Sequence, residues 1–416
     1  MSANQDPDIV VVGVGAAGIG AARRLAGSGL STLVLEALPR PGGRAWTHRA
    51  AGVSLDLGCG WLHSADRNPW TRIAEETGFT VDRRTPAWGT QFRNLGFSAA
   101  ERESAGRAFN QWNDRVFAVP ALSDCAADAL EPAGRWTSYL QALSGFISGD
   151  ELERVSARDY AAYDTASTGC NWRVPAGYGT LVAASLPATV GLRLATPLEA
   201  VALDDSRLSL RTPAGTVRAW AAILTVSTSV LAGGTIAWPS ALDPWRDAAT
   251  RLPLGRNEKL FLEIVGKSPF SPESHVLGNP HDAATGSYYI RPFGWPVIEC
   301  FLGGVGARAA AADGVDAAFA RAIDQLAKLF GSAVRRSLRP LVASNWAGTA
   351  SIGGAYSHAL PGQADARTVL ARPHDGRLFF AGEATHVTDF STAHGAYESG
   401  VRAAQEAITV LSRRRH

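Results

Sequence analysis

The chain has 416 residues, of which 46% are hydrophobic and 19% are charged, so it is long enough for two or more domains with substantial cores. The formal net charge of +2 is too small to indicate nucleic acid or an anionic membrane as a partner. No apolar run reaches the roughly 18 residues that a membrane-spanning helix needs. The first strand pattern begins near Asp8, which leaves no room for a signal peptide, and the cysteines form no CxxC pair. We therefore expect a cytoplasmic protein with reduced thiols.

The segment 8–44 predicts a strand, a glycine turn, a helix and a second strand that ends in an acidic residue. The first strand is the continuous β-branched run Ile9–Val12, which is typical of a buried parallel strand. The helix is predicted to run to about Ser28, and the second strand covers 31–35. This order is the beginning of a βαβ unit.

Three glycines at GxGxxG spacing follow the first strand, and each has a physical role. Gly13 permits the tight turn, Gly15 lets the backbone approach a pyrophosphate, and Gly18 allows close packing of helix on strand. The N-terminus of the helix offers free N–H groups to phosphates. Glu36 lies where a carboxylate can accept hydrogen bonds from a ribose. The segment therefore predicts a dinucleotide site.

The rest of the chain alternates between helical and strand-like regions. Apolar residues recur at helical spacing between about 79 and 170, which predicts a mostly helical insert. The pattern at 192–227 predicts a β-meander that ends in a buried strand. Further predictions are strands at 257–266, 286–294 and 296–304, a turn at GGVGAR (303–308), a helix at 313–330 with Asp313 as its N-cap, a strand before AGEAT, and a closing helix from HGAY onwards.

Both ends of the chain carry longer motifs. They are GVGAAGIGAARRL, LEALPRPGGR and LDLGCGWLH near the start, and NWAGTASIGGAYSHALPG and FFAGEATHVTDFSTAHGAYESGVRAA near the end. In this order, the motifs resemble those of the flavin-containing amine oxidases, which include monoamine oxidases, polyamine oxidases and lysine-specific histone demethylases. The resemblance implies an α/β fold. It consists of a Rossmann-like FAD-binding domain made of discontinuous segments (1–79, 174–248 and 346–416) and an α+β substrate-binding domain (80–173 and 249–345).

The resemblance also implies which residues bind FAD. Val201 matches the position whose backbone meets adenine, and Trp346 matches a tryptophan beside the flavin ring. Leu38 stands where relatives often carry an arginine that supports the adenosine. Ala355 replaces the cysteine that tethers flavin in monoamine oxidases, so non-covalent FAD is expected. The full expected set is Gly13, Gly15, Ala17, Gly18, Glu36, Gly42, Gly43, Arg44, Gly60, Trp61, Val201, Trp346, Gly382, Glu383, Thr392 and Ala393.

Four residues are implied in catalysis. Lys259 matches a lysine that holds a water at the flavin, although strand periodicity alone places it on a solvated face with Phe261 and Glu263. Tyr356 matches one aromatic wall of the path to the flavin, and Thr392 takes the place of the opposite wall. Thr392 is otherwise interpreted as a helix cap. His63 matches a histidine near the substrate side of the flavin in several polyamine oxidases.

The implied reaction is oxidation of a small-molecule amine to an imine by hydride transfer to flavin. O2 is reduced to H2O2, and the imine is hydrolysed. An L-amino-acid oxidase remains an alternative, with Arg173 or Arg291 as candidates for binding a carboxylate. A dehydrogenase or desaturase that passes electrons to a carrier is a second alternative, and a non-enzymatic flavin-binding protein is a third. No metal site is indicated, and the sequence does not define an oligomeric state.

Overall fold

The computed structural model describes residues 6–120, 122–204, 206–267 and 269–414. Its strands are β1 (Ile9–Val12), β2 (Thr32–Leu35), β3 (Thr47–Ala50), β4 (Val53–Asp56), β5 (Leu62–His63), β6 (Asn171–Trp172), β7 (Gly191–Arg193), β8 (Ala200–Leu203), β9 (Leu208–Thr212), β10 (Gly215–Ala219), β11 (Ala221–Leu224), β12 (Asn257–Ile264), β13 (Ser274–Leu277), β14 (Ser287–Ile290), β15 (Val297–Gly303), β16 (Leu338–Ala343) and β17 (Leu378–Phe380).

The helices lie between these strands and at the C-terminal end. They are α1 (Ala16–Leu25), α2 (Pro69–Glu76), α3 (Ala99–Val116), α4 (Thr137–Ile147), α5 (Ala157–Ala166), α6 (Tyr178–Ala184), α7 (Thr228–Ala232), α8 (Asp243–Thr250), α9 (Gly304–Asp313), α10 (Val315–Phe330), α11 (Ala366–Ala371) and α12 (Ala393–Arg414). Among the described residues, no helix has both the length and the apolar character that crossing a membrane requires.

A five-stranded parallel sheet has the order β17-β11-β1-β2-β7. Its central strand β1 is buried on both faces, as its β-branched sequence predicts. Ile9 and Val11 pack with α1 and α12 on one face. Val10 and Val12 pack on the other face with the antiparallel sheet β10-β9-β8 and with α8 and α11. The chain therefore buries this sheet between two apolar layers.

Helices α1 and α12 pack unusually closely because each carries a glycine at the contact. A Cβ atom on Gly20 would lie 2.3 Å from the carbonyl oxygen of Tyr397, and one on Gly400 would lie 1.9 Å from that of Ala17. Neither position tolerates a side chain without a shift of backbone. This contact fixes the C-terminal helix against the first βαβ unit.

A second five-stranded sheet is antiparallel, in the order β13-β14-β15-β12-β16. Leu260, Leu262, Tyr288 and Cys300 alternate onto one face, where they pack against α9 and α10. The opposite face, which carries Lys259, turns toward the parallel sheet and the helices of the predicted insert. Those helices are α3, α4 and α5, and they share a small apolar core of their own.

Three sequence-based predictions of element boundaries are wrong in detail. Helix α1 ends at Leu25 rather than near Ser28, since Gly27 and Gly29 both adopt positive φ. Asp313 is the last residue of α9 and not the N-cap of the next helix, because Gly314 (φ 89°) separates the two helices. GGVGAR is the junction of β15 and α9 rather than a turn.

A buried ion pair connects the helical insert to the parallel-sheet half. Arg367 in α11 donates to both carboxylate oxygens of Asp159 in α5, at 2.7 and 2.8 Å, and both side chains are almost fully buried. Bidentate pairs of this kind are strong, but each charge depends on its partner once water is excluded.

We expect Arg367→Met to lower the free energy of unfolding by about 3–5 kcal/mol, because it leaves the Asp159 carboxylate buried without a cation. Arg107→Met is the matched control, since Arg107 pairs with Glu103 on the exposed surface of α3 and should cost less than about 0.5 kcal/mol. Urea denaturation followed by circular dichroism measures both. Equal shifts in the two midpoints would contradict the structural importance of the buried pair.

Candidate active site

One large cavity of about 1160 Å³ extends from the carboxyl ends of β1 and β2 to the free face of the antiparallel sheet. Its volume exceeds the ~300–1,000 Å³ of a typical small-ligand site, so it has room for a large cofactor and a second molecule. The residues expected from the sequence that line it are Gly13, Gly15, Ala17, Glu36, Gly42, Gly43, Arg44, Gly60, Trp61, His63, Lys259, Trp346, Tyr356, Gly382, Glu383, Thr392 and Ala393.

A glycine cradle forms one end of the cavity. Gly15 and Gly42 are bridged as in a parallel sheet, and the Gly42 N–H donates to the carbonyl of Val14 at 2.9 Å. A Cβ atom on Gly43 would lie only 3.2 Å from Cα of Gly15. Helix α1 begins directly after Gly15 and has no acidic residue in its first turn. The cradle therefore presents bare backbone and a positive helix end, which suits a phosphate.

Glu36 closes β2 at the same end of the cavity. Its Oε2 accepts from the Val14 N–H at 2.7 Å and its Oε1 from the Leu38 N–H at 2.8 Å. Burial raises the pKa of Glu36, while these two N–H groups and the nearby Arg40 oppose that rise. The carboxylate is thus held rigidly at the cavity wall, where further lone pairs can accept from hydroxyl groups.

Arg44 and Glu383 form an ion pair of 3.1 Å at the middle of the cavity. Arg44 also donates to the carbonyl of Ala355, and Glu383 accepts from the Ser357 hydroxyl (2.7 Å) and the Ser391 N–H (2.9 Å). Burial alone would raise the pKa of Glu383, but the charges of Arg44 and Arg367 and these hydrogen bonds hold it below its usual value. These contacts therefore favour the charged form of the Glu383 carboxylate.

Lys259 lies inside the cavity and not on a solvated face. Its Nζ is 2.7 Å from Oε1 of Glu299 and donates to the carbonyl of Asp56 at 3.1 Å, and the side chain is 9% exposed. A Cβ atom on Gly60 would lie 3.1 Å from Nζ, so this glycine leaves room for the ammonium. Periodicity correctly placed Lys259, Phe261 and Glu263 on one face of the strand. That face is not solvated at Lys259, because the helical insert and the parallel-sheet half cover it there.

Two alternate residues from each of four strands on this sheet face line the cavity. Lys259 pairs in register with Phe301, which pairs with Ser287, and Glu299 pairs with Tyr289 in the same way. The contributions, strand by strand, are Asn257 and Lys259 from β12, Glu299 and Phe301 from β15, Ser287 and Tyr289 from β14, and His275 and Leu277 from β13.

Several aromatic rings surround the region near Lys259. Trp346 donates from Nε1 to the carbonyl of Leu57 at 3.0 Å, which fixes its ring at the cavity wall. Trp61 makes edge contacts with Trp88 (4.3 Å between ring centres) and with Tyr289 (5.7 Å). Such rings give a flat, apolar lining with a slight preference for an approaching cation.

Tyr356 and Thr392 both line the cavity but differ in role. The Tyr356 hydroxyl donates to the carbonyl of Phe146, and burial raises the pKa of Tyr356 well above its usual range. The Thr392 hydroxyl donates to the carbonyl of Asp389 (2.6 Å) and accepts from the Gly395 N–H (3.0 Å) at the start of α12. Thr392 is therefore a helix cap whose hydroxyl already has two partners.

Two histidines, His63 and His394, also line the cavity. His63 Nδ1 lies 2.6 Å from the side-chain oxygen of Asn171, and burial lowers the pKa of His63 to about 4. At neutral pH its ring is uncharged. His394, near the start of α12, is held by Asp389, whose Oδ1 lies 3.0 Å from its Nε2.

Two expected cofactor residues do not line the cavity. Gly18 acts in packing, because a Cβ atom there would lie 1.9 Å from the carbonyl oxygen of Gly13. Val201 is a correction: it lies in β8, and its N–H donates to the carbonyl of Ala237 at 3.0 Å, so its amide is already used. Leu198, three residues earlier, does line the cavity.

Sequence reasoning missed Glu299 and His275. Glu299 is a charged residue within the otherwise apolar strand VIECFL, and this exception to the pattern could have identified it as a candidate site residue. His275 lies in β13, which was not predicted as a strand. The proposed carboxylate binders do not line the cavity: Arg173 is paired with Asp82 and Glu273, and Arg291 donates to backbone carbonyls.

Comparisons with known proteins agree with this architecture. Residues 16–111 and 123–408 match the family described as flavin containing amine oxidoreductase. Polyamine oxidase 3 of Oryza sativa subsp. japonica is 26% identical over 98% of this chain and 90% of its own length. Pseudooxynicotine dehydrogenase of a Pseudomonas species is 26% identical over 96% and 86%. A solved structure of a putrescine oxidase superposes with a TM-score of 0.74 at 18% identity, covering 97% of this chain and 99% of that one.

The family match spans most of the chain, and it includes Gly42 and Gly43 of the cradle and the strand that carries Lys259. The chain therefore belongs to the flavin-containing amine oxidoreductases, enzymes that oxidise amines with a bound flavin.

Proposed function

We propose that the protein binds FAD non-covalently in the cradle end of the cavity and oxidises a small-molecule amine at the Lys259 end, with O2 as electron acceptor. The observation that carries this proposal is the continuity of the cavity. A phosphate-type cradle and a buried, charge-paired lysine open into the same space, as a cofactor and a substrate in contact require.

The residues present fit FAD in their chemistry. The cradle and the first turn of α1 supply N–H groups for a pyrophosphate, and Arg44 adds a planar cation. Glu36 can accept from a ribose, and Leu198 replaces Val201 as the candidate for contact with adenine. Ala355 offers no thiol, which supports non-covalent binding.

We also propose the division into domains that the resemblance implies. All five strands of the parallel sheet fall within 1–79, 174–248 and 346–416, which supports a Rossmann-like FAD-binding domain made of these segments. Residues 1–5, 205, 415 and 416 of that range lie outside the described residues. The antiparallel sheet and the helical insert fall within 80–173 and 249–345, which would form the substrate-binding domain.

When bound, the flavin supplies the redox chemistry: it accepts a hydride from the carbon next to the amine nitrogen and passes two electrons to O2, giving H2O2. The protein binds, orients and excludes water. Trp61, Tyr356 and Phe301 would confine the amine in an apolar space. Lys259 would hold a water or a developing negative charge at the reacting end. The imine product would hydrolyse to an aldehyde or ketone and an amine or ammonia.

The names of the relatives leave the amine and the acceptor open, since one is called a polyamine oxidase and another a dehydrogenase. We propose O2 as the electron acceptor because the resemblance to the family implies it. A cytoplasmic location is supported by the four cysteines, none of which forms a disulfide.

Anaerobic mixing of the purified yellow enzyme with amines tests the function directly. We expect at least one amine to bleach the flavin absorbance, and admission of air to restore it with one H2O2 per amine. Bleaching only by an amine's α-carboxylated analogue would identify an amino-acid oxidase. Bleaching that air reverses only slowly would identify a dehydrogenase, and no bleaching by any amine would contradict an enzymatic role.

Replacement of Lys259 by Met should slow reoxidation of the reduced enzyme by O2 by about 10- to 100-fold, because it removes a preorganised cation from a water-poor site. Stopped-flow spectroscopy separates this step from flavin reduction. Lys328→Met, on the exposed face of α10, is the control. Reduction and reoxidation rates that match those of the wild type would remove Lys259 from the mechanism.

The rate of flavin reduction should rise with pH between 6 and 9. An alkylamine with a pKa near ~10.4 must lose its proton before hydride transfer, and the neutral fraction grows tenfold per pH unit. Burial lowers the pKa of His63 and of His275 to about 4, so neither ring changes charge in this range. A flat or falling profile at low substrate concentration would exclude a neutral-amine mechanism.

A further inference from the structure

The charged side chains that line the cavity neutralise each other in pairs, except at one point on the helical insert. Among the described residues, these side chains are Glu36, Arg44, Arg102, Lys259, Glu299 and Glu383. Lys259 pairs with Glu299, and Arg44 pairs with Glu383. Two backbone N–H groups hold Glu36 at the cradle. The charge that remains is the cation of Arg102 in α3.

Arg102 forms no ion pair within the part of the chain that the structure describes. Its Nη2 donates to the side-chain oxygen of Asn94 at 2.7 Å, which orients the guanidinium. Its Nε is buried without a partner, whereas Nη1 is accessible and also makes no hydrogen bond to a described residue. Glu101 and Glu103, on either side of it in α3, pair with other arginines. An anionic ligand group could therefore contact Nη1 without displacing a protein carboxylate.

Helix α3 presents Arg102 on its inward face. Arg102 precedes the buried Ala105 by three residues, so the two side chains lie on the same side of the helix. Gly106, four residues after Arg102, also lines the cavity, and a Cβ atom there would meet no atom within 4 Å. The helix therefore leaves open space on the face that carries the guanidinium.

The antiparallel sheet separates Arg102 from Lys259. One row of paired residues crosses four strands of this sheet, and it consists of Lys259, Phe301, Ser287 and Leu277. Three strand spacings of about 4.8 Å place the two ends of the row about 14 Å apart. Leu277 packs in the same small apolar cluster as Ala105 of α3. Arg102 therefore lies at the opposite end of this face from Lys259.

The wall of the cavity between these two ends is apolar and aromatic. Tyr139 and Phe146 lie two helical turns apart in α4, and both line the cavity. The ring of Phe146 contacts that of Phe301 in the sheet, with 5.8 Å between their centres. The ring of Tyr139 contacts that of Phe97, which packs in the same cluster as Leu277, also at 5.8 Å. The two cations are thus joined by an apolar passage.

We infer that the substrate is an amine whose far end carries a carboxylate, with an apolar chain or ring between the two groups. The amine lies at the Lys259 end of the cavity, and the carboxylate contacts Nη1 of Arg102. This inference rests on the proposed amine oxidation in the same cavity and specifies its substrate class. Arg102 is a specificity residue and takes no part in hydride transfer.

The position of Arg102 also disfavours two other classes of substrate. A diamine or polyamine that spans the passage would bring a second ammonium group to an unpaired cation, and like charges repel. The carboxylate of an α-amino acid is attached to the reacting carbon at the other end of the cavity, so it would not reach Arg102. The cation therefore selects for a carboxylate that is remote from the nitrogen.

Binding to the holoenzyme can be measured without turnover, because amines with two methyl groups on the carbon next to nitrogen have no α-hydrogen. Such probes are made with a short chain of three methylene groups and a long chain of eight. Each chain ends either in a carboxylate or in a primary amide of similar size. By calorimetry we expect the long carboxylate to bind about tenfold more tightly than the long amide, because its hydrogen bond to the guanidinium is charge-assisted. The short probes do not span the passage and should show no preference.

Substitution of Arg102 isolates its contribution. Arg102→Met should weaken the long carboxylate about tenfold and leave the long amide unchanged, which also shows that the variant is folded. Arg102→Lys should restore part of the preference for the carboxylate. Arg107→Met is the matched control, because Arg107 lies on the exposed surface of the same helix. Added salt should reduce the preference in the wild type, since Arg102 is only half-buried.

The outcomes separate this inference from the function on which it rests. Equal affinities of the long carboxylate and the long amide for the wild type overturn the inference. A preference that persists in Arg102→Met, or that is equally large for the short probes, also overturns it. If plain alkylamines then bleach the flavin, amine oxidation stands and only the substrate class is wrong. If no oxidisable amine bleaches the flavin, the proposed function itself is wrong.

Discussion

A chain of buried polar contacts holds the two halves of the cavity together. Arg44, from the glycine turn after β2, pairs with Glu383 from the end of β17. Glu383 accepts from the Ser357 hydroxyl, which accepts from Arg367 at 2.9 Å, and Arg367 pairs with Asp159 in the insert. In a low-dielectric interior each of these groups needs its partner. The segments that carry them are far apart in sequence, so the cavity exists only when all of them are assembled.

The parts of the site that the sequence predicted are those set by local physics. The turn at Gly13, the close approach at Gly15 and the packing at Gly18 follow from the absence of a side chain, whatever the rest of the chain does. Glu36 closes the strand at the same end for a similarly local reason. The parallel strands β1 and β2 were predictable because burial on both faces leaves a continuous β-branched run.

Other features depend on contacts between distant segments, and the sequence could not define them. Periodicity placed Lys259 on the correct face of its strand, but whether that face meets water or protein is decided by the helical insert. Val201 was misplaced because a match of short strands carries a register error of a few residues, and only pairing with Ala237 reveals it. His275 was missed because β13 has four residues and no clear alternation.

The two ends of the cavity differ in their electrostatic character. At the cradle, Arg44 and the N-terminus of α1 supply positive potential where a phosphate would lie, and Glu383 limits it. On the sheet face, Lys259 and Glu299 cancel each other, so apolar area and shape dominate recognition there rather than charge. Residues on β13 and β14 can therefore change which amine fits without altering the cradle. The cofactor cradle can therefore stay the same while the substrate changes, because the cradle follows the parallel sheet and the lining residues of β13 and β14 belong to the antiparallel sheet.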